Sequence, residues 1–475
     1  MNPTAPELTE LDFQKIIARR DSRYDGRFFF GVRTTKIYCR VSCPARPKPE
    51  NIQVFKSPSE AEHSGYRPCL RCRPDAAPGS EIWNGTGRTV SRALRLIDEA
   101  TFDRTSIETL AEKLGVTDRH LRRLFDTHLG ASPIEIIITK RLHTAKQLVT
   151  ETDRNFSEIA HAVGFQSIRR FNDAFKNLFD RTPSEFRERR LPHATSDSGA
   201  KGALKLSMVV HEPYDWPMVL RYLGRHEAFG IELVEEDSYT RFLGKGQIEV
   251  TRPRGRGPLQ VRLMDIDLHE VRSILDRLSR LFDTRHNPAH LPKLRGIKSG
   301  GVRVPGSFDG FETAVSIILS QLVSTVRARA LLKKLIVRFG RPIESGTQLY
   351  TFPPPQDLIA APLEELGMPR ARANAIRELC RRLTLREIDL SPAADVNVMR
   401  ERLLAINGIG PWTVELIAMR CWCDPNAFPK SDLIVQRALE AELCREEDWS
   451  SVRAYLVHCL WRDFSGLPNP KGRKK

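Results

Sequence analysis

Four cysteines lie within the first 72 residues, at Cys39, Cys43, Cys69 and Cys72, and the next thiol is Cys380. Their spacing is C-x3-C, 25 intervening residues, then C-x2-C, and no other feature constrains the fold as strongly. Two close thiol pairs separated by a loop match the ligand pattern of a tetrahedral zinc site, so all four are candidate metal ligands. A zinc-bound thiolate is either a structural staple or a nucleophile, and the rest of the chain has to decide which.

With 475 residues and 40% hydrophobic content, the chain is expected to form about three domains, each with its own core. A net charge of +16 favours a polyanionic partner. The start, MNPTAPELTELDFQKI, lacks the basic and apolar regions of a signal peptide, and no run approaches 18 apolar residues, so no membrane partner is expected. Nine cysteines, sparse over most of the length, predict a reducing, cytoplasmic compartment.

Four blocks follow: 8–78 with the thiols; 86–190, wholly helical; 205–300, mixing helices with strand-like runs at 247–252 and 259–263; and 301–466, helical again. The polar stretch 193–202 reads as a linker, and the tail 471–475 as disordered. The second block repeats itself. Leu110-Ala-Glu-Lys-Leu-Gly-Val116 recurs 49 residues later as Ile159-Ala-His-Ala-Val-Gly-Phe165. Each is a short helix ending at glycine, with a capping residue upstream (Ser106 or Thr105; Asn155 with Glu158) and a basic amphipathic helix downstream. Helix, glycine turn and basic helix make the helix-turn-helix plan. Two copies favour DNA binding over an ordinary helical hairpin.

This tandem pair, ending in Leu178-Phe-Asp-Arg-Thr-Pro-Ser-Glu-Phe186, resembles the DNA-binding domain of AraC-family regulators. Upstream, Phe30-Gly-Val-Arg-Thr-Thr-Lys-Ile-Tyr-Cys39-Arg-Val-Ser-Cys43 and Gly65-Tyr-Arg-Pro-Cys69-Leu-Arg-Cys72 resemble the amino-terminal domain of the Ada family. The Pro-Cys-His-Arg string of that family's second methyltransferase is absent. Residues 8–75 carry 14 Lys/Arg and 8 Asp/Glu, which places the thiols on a basic surface suited to a phosphate backbone. A soft thiolate can take a methyl group from an alkylated phosphate, and the resemblance implies Cys39 as that acceptor. The competing reading keeps all four cysteines structural.

In the last block, Leu403-Leu-Ala-Ile-Asn-Gly408-Ile-Gly410-Pro-Trp412-Thr forms a G-x-G hairpin between helices, where Gly408 and Gly410 suit close approach of a DNA phosphate. Phe428-Pro-Lys-Ser-Asp432 follows, placing a carboxylate at the mouth of another helix 20 positions after Trp412. Together with His211–Trp216, Ser279–Asp283, Ile318–Ser324, Leu366–Pro369 and Trp461, this resembles the helix-hairpin-helix DNA glycosylases, and among them the AlkA type. The resemblance implies Asp432 as the carboxylate facing the oxocarbenium-like sugar, its alternative role being a plain helix N-cap. Leu322 is implied as the wedge that fills the gap left by the extruded base, against a plain core role. Trp412 and Trp461 are candidate walls of a pocket for a cationic base, though large aromatics are also common core residues. Bifunctional relatives hold a Schiff-base lysine where Trp412 stands, so a monofunctional, water-using enzyme is expected. Leu416 and Leu433 occupy positions where the family places tyrosines. The C-x-C spacing of Cys421 and Cys423, with Cys444 and Cys459 beyond, does not fit an iron–sulfur loop, and these read as packed or free thiols.

The expected fold class is multidomain and mainly α with smaller α/β parts: a four-cysteine zinc domain, a tandem helix-turn-helix domain, an AlkA-like α/β lobe and a helix-hairpin-helix lobe. The expected function joins methyl acceptance from methylphosphotriesters, activation of repair genes and excision of bases such as 3-methyladenine. One competing reading is a regulator whose C-terminal half binds DNA without catalysis; another is a glycosylase with a zinc-stapled anchor. The implied cofactor is Zn²⁺. The implied partners are alkylated and promoter DNA and RNA polymerase, acting on a monomer associated with the bacterial nucleoid.

Overall fold

A computed structural model describes residues 13–14, 17–18, 28–41, 43, 45, 47–55, 60–61, 64–69, 89–90, 92–97, 107–189, 203–253, 256–288, 291, 300–344, 346–441, 443, 449 and 452–464. Cys72, Cys444, Ser106 and Thr105, the 193–202 stretch and the 471–475 tail lie outside the described residues. The chain divides into two compact units, one of 1–94 with 111–132 and one of 95–110 with 133–475.

In the first unit β1 (Phe29–Val32), β2 (Ile37–Arg40), β3 (Ile52–Phe55) and β4 (Arg67–Pro68) form a sheet of order β3-β1-β2-β4. The β1–β2 hairpin is antiparallel, with Phe30 opposite Cys39, while β4 joins β2 in parallel with Ile37 opposite Arg67. Gly31 is obligatory in β1, because a Cβ there would sit 2.6 Å from the Tyr66 ring and 2.7 Å from that of Phe55.

The helical repeat forms, with Asn155 capping its second copy, while the upstream cap expected for the first lies outside the described residues. Helix α1 (Ile107–Lys113) leads through Gly115, at φ +69°, to α2 (Asp118–Leu129), capped by Thr117. After the long α3 (Pro133–Glu151), the pattern returns in α4 (Phe156–Ala162), Gly164 at φ +90°, and α5 (Ile168–Phe179), followed by α6 (Pro183–Glu188). Asn155 caps α4 by accepting from Glu158 N at 2.7 Å, and Ser167 caps α5. Both second helices bury an apolar stripe, Leu121, Leu124 and Phe125 in α2 and Phe171 and Phe175 in α5. They leave Arg119, Arg122, Arg123, Arg169, Arg170 and Lys176 exposed.

Strands β5 (Leu204–Met208), β6 (Glu232–Val234), β7 (Ser238–Leu243), β8 (Gly246–Thr251) and β9 (Leu259–Met264) form an antiparallel sheet of order β5-β9-β8-β7-β6. It carries α7 (Trp216–Arg225) and α8 (Leu268–Leu281). The helical lobe runs through α9 (Gly310–Leu319), α10 (Thr325–Phe339), α11 (Pro355–Ile359), α12 (Arg370–Thr384), α13 (Val396–Leu404), α14 (Pro411–Arg420), α15 (Leu433–Glu440) and α16 (Arg453–Asp463). Buried Arg241 on β7 pairs with Glu232 of β6 at 2.9 Å and Glu312 of α9 at 2.6 Å, tying sheet to helices while its charge stays compensated.

Within the second unit, α3 packs on β5 and α4 on α8, so the second helix-turn-helix and the sheet lobe share one apolar core. The contact closes the open edge of β5: Ser207 donates its N–H to Glu151 Oε2 at 2.7 Å, and its carbonyl accepts from Gln147 Nε2 at 2.8 Å. Burial raises the Glu151 carboxyl pKa, against the opposing pull of its bonds from Ser207 and Gln147. Replacing Glu151 by Ala strands that strand N–H, and a loss of about 1–3 kcal/mol is expected, read as a lower Tm in calorimetry.

Candidate active site and metal centre

The parallel pairing of β2 with β4 creates the thiol cluster. It sets Cys39, in β2, beside Cys69, which follows β4 and whose N–H donates to the Tyr38 carbonyl at 3.0 Å. Cys43 folds back through a turn, donating its N–H to the Arg40 carbonyl at 3.1 Å. The three Sγ atoms lie within 4.8 Å of one another, the one such group of metal-ligating side chains among the described residues. Tetrahedral thiolates at about 2.3 Å from a zinc ion stand about 3.8 Å apart, so the trio fits that ion with little adjustment. Cys39 and Cys43 are buried, Cys39 at 1% exposure, and Cys69 is half-buried.

In the second unit Asp432 occupies the N-cap of α15, and its Oδ1 accepts from Ile434 N at 3.1 Å and Val435 N at 3.3 Å. Two indoles converge on the same carboxylate. Trp461 Nε1 donates to Oδ1 at 3.0 Å, and Trp412 Nε1 to Oδ2 at 3.3 Å. The N-cap reading of Asp432 is thus realised, with both indoles bonded to the same carboxylate. Its loop is anchored to α14 by Glu415 Oε2, which accepts from Phe428 N at 2.8 Å, and is closed on itself by Asp432 N donating to the Pro429 carbonyl at 2.8 Å. Both tryptophans are half-buried and pack against the core without being enclosed by it.

Tyr222 of α7 stacks on Trp461, with ring centroids 6.3 Å apart and planes 11° from parallel. His226 and His458 each lie 4.9 Å from the Tyr222 ring. Burial, followed by the nearby Arg420 guanidinium, pushes both imidazole pKa values down to about 3, so the aromatic group is uncharged at neutral pH. Sequence reasoning missed Tyr222: its partner is 239 positions away, and no local pattern distinguishes it from other residues of an amphipathic helix.

Gly408 adopts φ +94°, and a Cβ there would meet Ala375 Cβ at 3.2 Å and the Ala371 carbonyl at 3.3 Å, so the hairpin turn needs glycine. Gly410 is the N-cap of α14 and faces open space. Leu322 is not core: it is fully exposed, at 102%, with a left-handed φ of +54°. Leu416 is buried and Leu433 exposed at 55%. Cys421 and Cys459 are buried thiols whose pKa burial pushes up to about 12, as expected of packed side chains. No helix among the described residues is long and apolar enough to cross a membrane.

Sequence profiles match in order along the chain: the metal binding domain of Ada at 12–75, a helix-turn-helix domain at 110–189, the AlkA N-terminal domain at 205–309, and the HhH-GPD superfamily of base excision DNA repair proteins at 315–440. A Mycobacterium tuberculosis protein named probable bifunctional transcriptional activator/DNA repair enzyme AlkA is 35% identical across 95% of this chain and 96% of its own length. The Bacillus subtilis bifunctional transcriptional activator/DNA repair enzyme AdaA is 32% identical over 39% of this chain and 85% of its own. The Escherichia coli DNA-3-methyladenine glycosylase 2 is 30% identical over 52% of this chain and 94% of its own. The thiol cluster is thus a zinc site, and the helix-turn-helix and glycosylase domains bind DNA. The chain belongs to the family of bifunctional transcriptional activator/DNA repair enzymes that join an Ada-type zinc domain and a helix-turn-helix to an AlkA-type glycosylase.

Proposed function

We propose that this protein excises alkylated bases such as 3-methyladenine as a monofunctional glycosylase, accepts methyl groups from DNA methylphosphotriesters on Cys39, and activates repair genes. The observation carrying the enzymatic half is the Asp432 carboxylate, fixed by two backbone and two indole donors. Among the described residues Oδ2 receives a single donor, Trp412, which leaves lone-pair capacity toward an approaching sugar or water. As the N-glycosidic bond breaks, its electron pair returns to the base ring and neutralises the cationic alkylated base. Positive charge builds on the deoxyribose and is met by Asp432, which orients a water and receives its proton as the new C–O bond forms. The half-buried indoles of Trp412 and Trp461 beside the carboxylate offer aromatic surface on which a cationic base can stack with cation–π attraction. Trp412 offers no amine, so the sugar is released by water alone.

At the thiol centre, zinc keeps its ligating cysteines deprotonated at neutral pH. Cys39 Sγ forms a bond to the methyl carbon, the C–O bond to phosphorus oxygen breaks, and the phosphodiester leaves with its negative charge restored. The centre becomes one unit less negative. Repulsion from promoter phosphates falls, α2 and α5 bind more tightly, and RNA polymerase is recruited, with the monomer as the acting form. One experiment addresses both halves: incubate the full chain with methylated duplex DNA, then measure released bases and intact protein mass together. Free 3-methyladenine and one added methyl per chain are expected. A borohydride-trapped DNA adduct or the absence of released base would overturn the glycosylase reading.

A further inference from the structure

The loop between α9 and α10 is held, around its exposed leucine, by contacts to the hairpin, α12 and α14. Leu322 has a left-handed backbone, which a branched non-glycine residue keeps only where its surroundings impose it. The constraint comes from the residue before it. Gln321 Nε2 donates to the Gly408 carbonyl at 2.9 Å and to Thr413 Oγ1 at 2.8 Å, one bond within the G-x-G turn and one to the helix that follows it. The Gln321 carbonyl in turn accepts from Arg372 Nη2, on the helix whose Ala371 and Ala375 pack against Gly408. On the far side Ser324 caps α10, accepting from Arg327 N at 3.3 Å and closing the loop after two further residues. Three segments distant in sequence therefore meet at one residue: the Gln321 side-chain amide ties the leucine loop to the hairpin, and its main-chain carbonyl ties the loop to α12.

We infer that Gln321 is a positioning residue that locks Leu322 at a fixed offset from the Gly408–Gly410 phosphate grip, so that gripping the backbone delivers the wedge to the base step beside it. The inference rests on reading Leu322 as the wedge and the two glycines as the grip. The amide is the one group in the clamp that addresses the hairpin from the leucine loop with two hydrogens, and a carboxylate of the same shape has none to give. An unclamped leucine would have to be ordered during base extrusion, when unstacking already opposes the step. A base in single-stranded DNA needs no such help.

The test compares excision of 3-methyladenine from duplex and from single-stranded DNA, in single-turnover reactions, for Gln321→Ala, Gln321→Glu, Leu322→Ala and the double variant Gln321→Ala/Leu322→Ala. The duplex-to-single-strand rate ratio should fall roughly ten- to hundredfold in each single variant, and the double variant should be no worse than Leu322→Ala alone. Fluorescence of 2-aminopurine placed beside the lesion should report the same loss of extrusion. If Leu322→Ala lowers the ratio and neither Gln321 variant does, the clamp is overturned and the wedge stands. Should Leu322→Ala leave the ratio intact, the wedge reading falls and takes the clamp with it. Equal loss on both substrates for the Gln321 variants would mark general damage to the lobe and would also overturn the positioning role.

Discussion

Replacing Asp432 with Asn is expected to lower base release from alkylated duplex DNA by about 10³-fold, equivalent to about 4 kcal/mol of transition-state stabilisation, while DNA binding persists. The substitution separates the residue's two duties. Asparagine is as good an N-cap as aspartate, so its side-chain oxygen can keep the bonds from Ile434 N and Val435 N and α15 should start normally. What disappears is the negative charge that the proposed mechanism turns toward the sugar. With the oxygen kept at the Oδ1 position, the new amide nitrogen would stand at the Oδ2 position and point N–H groups at the Trp412 indole, which donates there. A Trp412→Phe control isolates that second effect, because it removes an indole donor and leaves the charge. Unchanged thermal unfolding with lost excision is the expected pattern. Excision within a few-fold of the parent chain would remove Asp432 from the chemistry, whereas absence of excision by the parent chain itself would favour a C-terminal half that binds DNA without catalysis.

The second large effect concerns Cys39. Cys39→Ser should abolish methyl uptake from methylphosphotriester DNA and weaken zinc retention, because an alcohol ligates zinc far more poorly than a thiolate. Excision by the C-terminal half should continue. Peptide mapping of the methylated parent chain decides the acceptor directly. At 1% exposure Cys39 is less accessible than half-buried Cys69, so access alone would favour the latter. Methyl found on Cys69, or uptake that survives Cys39→Ser, would move the acceptor role away from Cys39. If the modification acts electrostatically, its gain in promoter affinity should shrink as salt rises, since screening over about 8 Å at 0.15 M ionic strength dilutes a one-unit change.

What the sequence disclosed was local. The glycine-terminated repeat, the Asn155 cap and the strand runs of β8 and β9 are written in neighbouring residues, and the structure forms each of them. The thiol pairs were legible by spacing, but the parallel β2–β4 pairing that brings Cys39, Cys43 and Cys69 together was not, since a two-residue strand carries no periodicity. Asp432 was visible as a carboxylate opening a helix. The two indole bonds that orient it depend on α14, α15 and α16 meeting in space, which no window of sequence reports. Leu322 illustrates the converse: a leucine at a helix end invites a core reading, yet it is fully exposed on a left-handed backbone, next to a glutamine bonded 87 positions away. Gln321 stood inside a motif read only for its leucine.

The buried seam between α3 and β5 bears on how this protein can be taken apart. A recombinant fragment starting near residue 203 would lose the side chains of Gln147 and Glu151 and the apolar surface around Leu148, exposing a sticky strand margin lined by Leu204, Leu206 and Met208. Expression of the excision half therefore calls for boundaries that include the second helix-turn-helix, and poor solubility of shorter pieces would reflect where the cut was made.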